Sequence, residues 1–167
     1  MDPMNAAWGH ETSTLALLLS AGEHRYALPC RRVKEVISCV ELRTLAHAPA
    51  WLVGLFNYRG AVAPVVDLRM LVQGEPCARC LSSRIVVFER SGADGVPFPI
   101  GLLAERVTET RRLSVRHTIP ASMEGAPYVA SIVLEDTGMI GLIDLDKIVT
   151  QSLGHMRLFA PAASQAL

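Results

Sequence analysis

Long hydrophobic runs are missing from this chain of 167 residues, although half of its residues are hydrophobic. A membrane-spanning helix needs roughly 20 consecutive apolar residues. We therefore expect no direct membrane insertion. Residues 1–5 also lack the basic segment and the apolar core that begin a secretory signal, which predicts a cytoplasmic protein.

An excess of charge of either sign is missing as well. Sixteen Lys and Arg residues balance sixteen Asp and Glu residues, and both kinds are scattered along the chain. Nonspecific binding of nucleic acid depends on a basic patch that neutralises phosphates. We therefore predict that nucleic acid is not a partner.

Sequence signatures of catalysis are missing too. The chain has no serine-nucleophile motif, no paired carboxylates in a recognisable catalytic context and no glycine-rich loop that would hold a phosphate. Five dispersed histidines form no metal-binding pair on a helix: His10, His24, His47, His117 and His155. Catalytic groups can still assemble from distant residues. Binding is nevertheless favoured, and we predict no enzyme activity, no cofactor and no metal.

Cysteine is scarce, and only one pair has a suggestive spacing. Cys77 and Cys80 are separated by two residues, as in a redox pair or half of a zinc site. The second pair that a zinc site needs is missing, and so is the βαβ pattern of a thioredoxin-like protein. We assign no chemistry to Cys30 and Cys39, which are expected to be reduced. A thiol-redox or metal-binding protein that uses Cys77 and Cys80 remains an alternative function.

The apolar residues occur in short segments separated by turn residues, which is typical of an all-β fold. The predicted strand segments are residues 15–19, 25–28, 33–37, 55–58, 85–89, 98–104, 107–113, 128–134 and 139–143. Pro49 predicts a turn through Val53 that Gly54 ends, and the polar residues 73–83 predict a linker between two strand-rich halves. Asp144 predicts the start of one short C-terminal helix.

Residues 57–69 contain the most informative pattern of the chain, because two apolar segments flank an Arg-Gly pair. Gly60 adopts a positive φ at little cost, so the chain can reverse there and leave the guanidinium group of Arg59 at the rim. Pro64 has no amide proton to donate to a sheet, which places it at a strand start, an edge or a bulge. The pattern predicts a charged group beside an imperfect sheet edge.

This pattern resembles the CheW-like domain, the coupling-protein fold of bacterial chemosensory arrays. The carrying residues are Asn57, Arg59 and Gly60 followed by Pro64, Val65, Val66, Asp67, Leu68 and Arg69, with further anchors at residues 26–29, 33–37, 101–103 and 141–148. The resemblance implies a mainly β fold of two small five-stranded Src-homology-type barrels, packed together with a short C-terminal helix. It implies a domain over residues 15–153, with approximate halves 15–72 and 83–153 and flexible terminal extensions 1–14 and 154–167.

The resemblance also implies a function. CheW-like proteins are non-enzymatic adaptors that couple the cytoplasmic tips of methyl-accepting chemoreceptors to the regulatory domain of a CheA-type histidine kinase. We therefore expect a cytoplasmic scaffold recruited to receptor-linked arrays. A protein of the same fold that docks a different signalling partner is a second alternative.

The resemblance implies a protein-binding site as well. Glu35 and Arg59 are expected to lie close enough for a charge-assisted hydrogen bond at a groove between the halves. The apolar residues carried over to this groove are Val33, Val36, Val62, Ile85, Val86 and Val107, each of which has core packing as its alternative role. Arg106 stands where many relatives have a small residue, which points to an alternative chemosensory pathway.

Overall fold

The computed structural model describes residues 8–9, 12–92, 94–121 and 127–154. The remaining residues of the two predicted extensions lie outside this described part. The strands are β1 (Ser13–Ala21), β2 (His24–Pro29), β3 (Val33–Ser38), β4 (Leu52–Tyr58), β5 (Ala61–Asp67), β6 (Arg84–Ser91), β7 (Pro97–Ser114), β8 (Thr118–Pro120), β9 (Val129–Glu135) and β10 (Gly138–Ile143). The helices are α1 (Leu68–Gln73) and α2 (Leu145–Ile148), and a π-type turn, Val149–Leu153, continues α2. No helix in these ranges is long and apolar enough to cross a membrane.

The strands form two barrels that share β7. Barrel A contains β1, β2, β10, β9 and the second part of β7, with the three-residue β8 added beside β9. Barrel B contains β3, β6, the first part of β7, β5 and β4. β3 and β4 are not paired with each other, which leaves a gap in barrel B. An isolated bridge between Arg43 and Leu55 brings the segment after β3 alongside β4 and so narrows this gap. The predicted mainly β, two-barrel fold with a short C-terminal helix is confirmed.

Strand β7 passes from one barrel to the other without interruption. It pairs with β6 as far as Ala104 and with β1 from Glu105 onward. Between these partners Arg106 adopts a φ of 46°, and the register with β1 shifts between Leu18 and Ser20. A residue in the left-handed region bends a strand at a bulge. The two segments predicted at 98–104 and 107–113 are therefore one bent strand.

The two barrels do not coincide with the two halves of the chain. Barrel A takes β1 and β2 from the N-terminal half, and barrel B takes β6 and part of β7 from the C-terminal half. The halves instead repeat one arrangement, in which a hairpin is followed by a short helix. Asp67 accepts a hydrogen bond from the Met70 amide at α1 (3.0 Å), and Asp144 accepts one from the Lys147 amide at α2 (3.1 Å). The predicted helix start at Asp144 is confirmed.

Each barrel has its own core, and a third cluster, the seam, lies between them. The barrel A core includes Leu18, Leu142 and Trp8, whose indole donates to the Ile143 carbonyl at 3.3 Å. The barrel B core includes Ile85. The seam contains buried residues of both barrels and both helices: Leu17, Leu19, Tyr26, Leu28, Val66, Leu68, Val86, Phe88, Ile100, Leu102, Ile143, Leu145 and Ile148. Strand residues alternate in direction, so adjacent residues serve a barrel core and the seam in turn.

Two local expectations need correction. Gly54 does not end a helical turn, because β4 already begins at Leu52 and runs through it. A Cβ atom at Gly54 would lie 2.8 Å from the Arg43 carbonyl oxygen, so the close approach of this segment to β4 requires glycine. The predicted linker at 73–83 is also firmly held, since the Cys77 amide donates to Asp67 at 2.9 Å and the Ala78 amide donates to Glu105 at 2.7 Å.

Candidate protein-binding site

The Arg59-Gly60 turn between β4 and β5 positions the first group of the site. Arg59 has a φ of 50° and Gly60 a φ of 88°, the combination that a two-residue type I′ hairpin requires. The Asn57 side-chain oxygen accepts a hydrogen bond from the Gly60 amide at 2.8 Å. The predicted hairpin is confirmed, and it leaves the Arg59 side chain 69% exposed.

Glu35 on β3 faces this turn. Its Oε2 atom accepts a hydrogen bond from Nη2 of Arg59 at 2.9 Å, and its side chain is 36% exposed. The expected contact between Glu35 and Arg59 is therefore present in the structure. An exposed ion pair of this kind contributes only about 0 to 1 kcal/mol to stability. Its main effect is to orient the guanidinium group of Arg59.

Tyr58 is a third member of the same cluster, although no sequence pattern indicated a role for it. Its hydroxyl donates to the same Oε2 atom of Glu35 at 2.6 Å, and its ring centroid lies 5.3 Å from the Arg59 guanidinium carbon. The hydrogen bond to Glu35, followed by burial, raises the pKa of the Tyr58 phenol. The phenol is thus held protonated, as donation to a carboxylate requires.

The exposed apolar members of the predicted set lie on the elements that carry this cluster. Val36 follows Glu35 on β3 and is 40% exposed, and Val62 lies on β5 just after the turn and is 61% exposed. Val33 and Val107 are partly buried at the border of the seam. Val36 and Val62 are thus accessible on the strands beside the ion pair, with Val36 on the face of β3 opposite Glu35.

Ile85 and Val86 lie elsewhere. Ile85 is 1% exposed in the barrel B core, and Val86 is 0% exposed in the seam. Adjacent residues of a strand point to opposite faces, and both faces of β6 are covered here. Their side chains pack in cores and offer no accessible surface, so core packing, the alternative weighed for them, accounts for both residues.

The Cys77 and Cys80 thiols differ in environment. Cys77 is buried, and burial raises its pKa. Cys80 is exposed, and its hydrogen bonds with the Ser82 and Ser83 hydroxyls lower its pKa to about 7. Within the described part of the chain, no group of three or more His, Cys, Asp or Glu side chains is placed to hold a metal ion.

The comparisons with known proteins agree with this architecture. The sequence matches the CheW-like domain family over residues 15–153. The chemotaxis protein CheW of Klebsiella aerogenes is 22% identical over 139 residues, which are 80% of each chain. Protein FrzA of Myxococcus xanthus is 33% identical over 105 residues, 62% of each chain. The crystal structure of the scaffolding protein TtCheW from Thermoanaerobacter tengcongensis superposes with a TM-score of 0.70 and 25% identity, covering 81% of this chain and 87% of that one.

Proposed function

Because this chain belongs to the CheW-like domain family, we propose that it is a non-enzymatic adaptor of chemosensory signalling. It couples the cytoplasmic tips of chemoreceptors to the regulatory domain of a CheA-type histidine kinase. Its place is the cytoplasm, at receptor-linked arrays. The similarity to proteins named as chemotaxis and scaffolding proteins supports this assignment.

The observation that carries the binding site is the exposed ion pair of Glu35 and Arg59, held by the buried Tyr58, on strands that also carry the accessible Val36 and Val62. A fixed cation on a barrel that also exposes apolar side chains nearby in the chain is suited to a helical surface that offers both an acceptor and apolar residues. We assign this region of barrel B, bordered by Val33 and Val107, to the helical hairpin of a receptor tip. Ile85 and Val86 pack beneath the surface, in the barrel B core and in the seam.

Coupling requires that the receptor contacts differ between signalling states. A ligand shifts an equilibrium only by its unequal affinity for two states. The rigid barrels transmit such a difference to a kinase domain bound at the end of a barrel. Arg106, exposed where β7 crosses between the barrels, adds charge and bulk near the seam and is assigned to partner choice.

Calorimetric titration tests this proposal. The protein is titrated separately with the kinase regulatory domain and with a receptor-tip hairpin, as wild type and as Arg59→Glu. We expect both partners to bind the wild type, and the variant to lose at least about tenfold in affinity for the hairpin alone, which corresponds to about 1.4 kcal/mol. The reversed charge removes the donor and places a second carboxylate beside Glu35.

Arg112→Glu is the matched control, because Arg112 is exposed on barrel A, away from the turn. Equal hairpin binding by wild type and Arg59→Glu would remove Arg59 from the interface. Failure of the wild type to bind either partner would leave the fold assigned and the adaptor function rejected.

A further inference from the structure

We propose that Tyr58 is a positioning residue for Arg59, so that the buried tyrosine and not the surface ion pair alone fixes the guanidinium group that the partner contacts. This inference rests on the proposed function, since it deepens the account of the same site. It concerns a residue that the Arg-Gly pattern itself does not indicate.

The first step is the anchoring of Tyr58. The residue is 7% exposed and belongs to the barrel B core, where its ring meets Phe56 edge-on with the centroids 6.1 Å apart. A side chain packed on this scale has a single accessible orientation. The phenolic oxygen is therefore held at a fixed point below the surface.

The second step is the transfer of this order to Glu35. The Tyr58 hydroxyl and Nη2 of Arg59 donate to one and the same carboxylate oxygen, at 2.6 and 2.9 Å. An exposed ion pair normally loses most of its value to the entropy of its two long side chains. With one partner of Glu35 already fixed in the core, the carboxylate presents Arg59 with a stationary acceptor, which reduces the cost of ordering Arg59 when a partner binds.

The third step is a direct contact. The guanidinium carbon of Arg59 lies 5.3 Å from the Tyr58 ring centroid, within the range of a cation–π interaction. Tyr58 thus reaches Arg59 by two routes, through the ring and through Glu35. The positive φ values at Arg59 and Gly60 fix the backbone of the turn that carries the Arg59 side chain.

A double-mutant cycle with Tyr58→Phe and Arg59→Ala tests the proposal. The phenylalanine keeps the ring in the core and removes only the hydroxyl. We expect Tyr58→Phe to weaken hairpin binding by about three- to tenfold, with kinase-domain binding unchanged, and to have no further effect once Arg59 is alanine. A purely structural role of the hydroxyl predicts the same loss in both backgrounds, and that result, or unchanged binding, would overturn the proposal.

A second readout does not depend on any partner. In the free protein, the ¹⁵N relaxation of the Arg59 Nε–H group is expected to report an ordered side chain in the wild type and a mobile one, similar to Arg112, in Tyr58→Phe. Tyr128→Phe is the control, because it removes a hydroxyl at the seam that accepts a hydrogen bond from Ser152 and lies outside the Arg59 cluster. If Arg59 loses its order in Tyr58→Phe but the wild type does not bind the hairpin, positioning is supported and the adaptor site is rejected. If Arg59 is equally ordered in both proteins, positioning is rejected.

Discussion

Replacement of Glu105 by alanine is expected to destabilise the protein by about 2 to 4 kcal/mol. Glu105 is only 5% exposed, and its carboxylate accepts hydrogen bonds from the Gly22 amide (3.0 Å), the Ala78 amide (2.7 Å) and Nη1 of Arg69 (3.2 Å). These donors come from the β1–β2 turn, the loop after α1 and α1 itself. Alanine would leave all three donors without their acceptor at the place where β7 changes barrels.

Chemical denaturation followed by circular dichroism measures this effect. Glu109→Ala is the matched control, since Glu109 is exposed on the same strand, and it is expected to change the free energy of unfolding by less than about 0.5 kcal/mol. A loss of less than about 1 kcal/mol in Glu105→Ala would show that these hydrogen bonds do not hold the crossing point.

The same residue gives the stability a predictable pH dependence. Burial alone would raise the pKa of Glu105, but the hydrogen bonds from Ala78, Arg69 and Gly22 outweigh it and hold the pKa below its ordinary value of 4.5. A carboxyl group whose pKa is lower in the folded state stabilises fully above its unfolded pKa and loses this contribution as the pH falls through the folded value. The stability difference between wild type and Glu105→Gln is therefore expected to be constant near neutral pH and to shrink as the pH falls below the ordinary pKa of 4.5. A difference that grows on acidification would contradict this sign.

Phe88→Ala is expected to cost about 3 to 5 kcal/mol, because it opens a cavity in the seam. Phe88 is 0% exposed and packs in the cluster to which both barrels and both helices contribute. Since this cluster is common to both barrels, we expect them to unfold in one transition in the variant as in the wild type. Leu81→Ala, at a side chain that is 96% exposed, is the control and should be nearly neutral.

Two probes of unfolding decide whether the seam unites the barrels. Trp8 lies in the barrel A core and Trp51 packs against the seam, so tryptophan fluorescence reports barrel A and the seam. Far-ultraviolet circular dichroism reports the strands of both barrels. Coincident midpoints are the expected result. Separate midpoints in Phe88→Ala would mean that each barrel is stable without the seam.

Local features of the fold were predictable from the sequence because nearby residues determine them. The hairpin at Arg59 and Gly60 depends on two adjacent φ values, and the helix start at Asp144 depends on a side chain three residues from its donor. Non-local pairings were not predictable in this way. The continuity of β7 depends on β6 and β1 lying on either side of Arg106, and no short pattern records which strands are neighbours.

The candidate site shows the same division. The proximity of Glu35 and Arg59 was expected from the family resemblance, not from spacing, since 24 positions separate them. The role of Tyr58 was not predictable, because an aromatic residue in an apolar strand is assigned to the core. Its hydroxyl contacts Glu35 only because the fold places β3 close to the end of β4. Ile85 and Val86 illustrate the reverse case, since residues in apolar strands are assigned to a surface or a core only when both faces of the sheet are known.

The exchange of strands between the barrels also has a consequence for biosynthesis. Hairpin β1–β2 is synthesised before the strands that flank it in barrel A, the second part of β7 and β10. Domains tend to fold as units during synthesis, and contacts between distant residues slow folding. The edge of β1 therefore stays unpaired until β7 has been synthesised, and the edge of β2 until β10 has been, so the nascent chain exposes strand edges to intermolecular pairing during this interval.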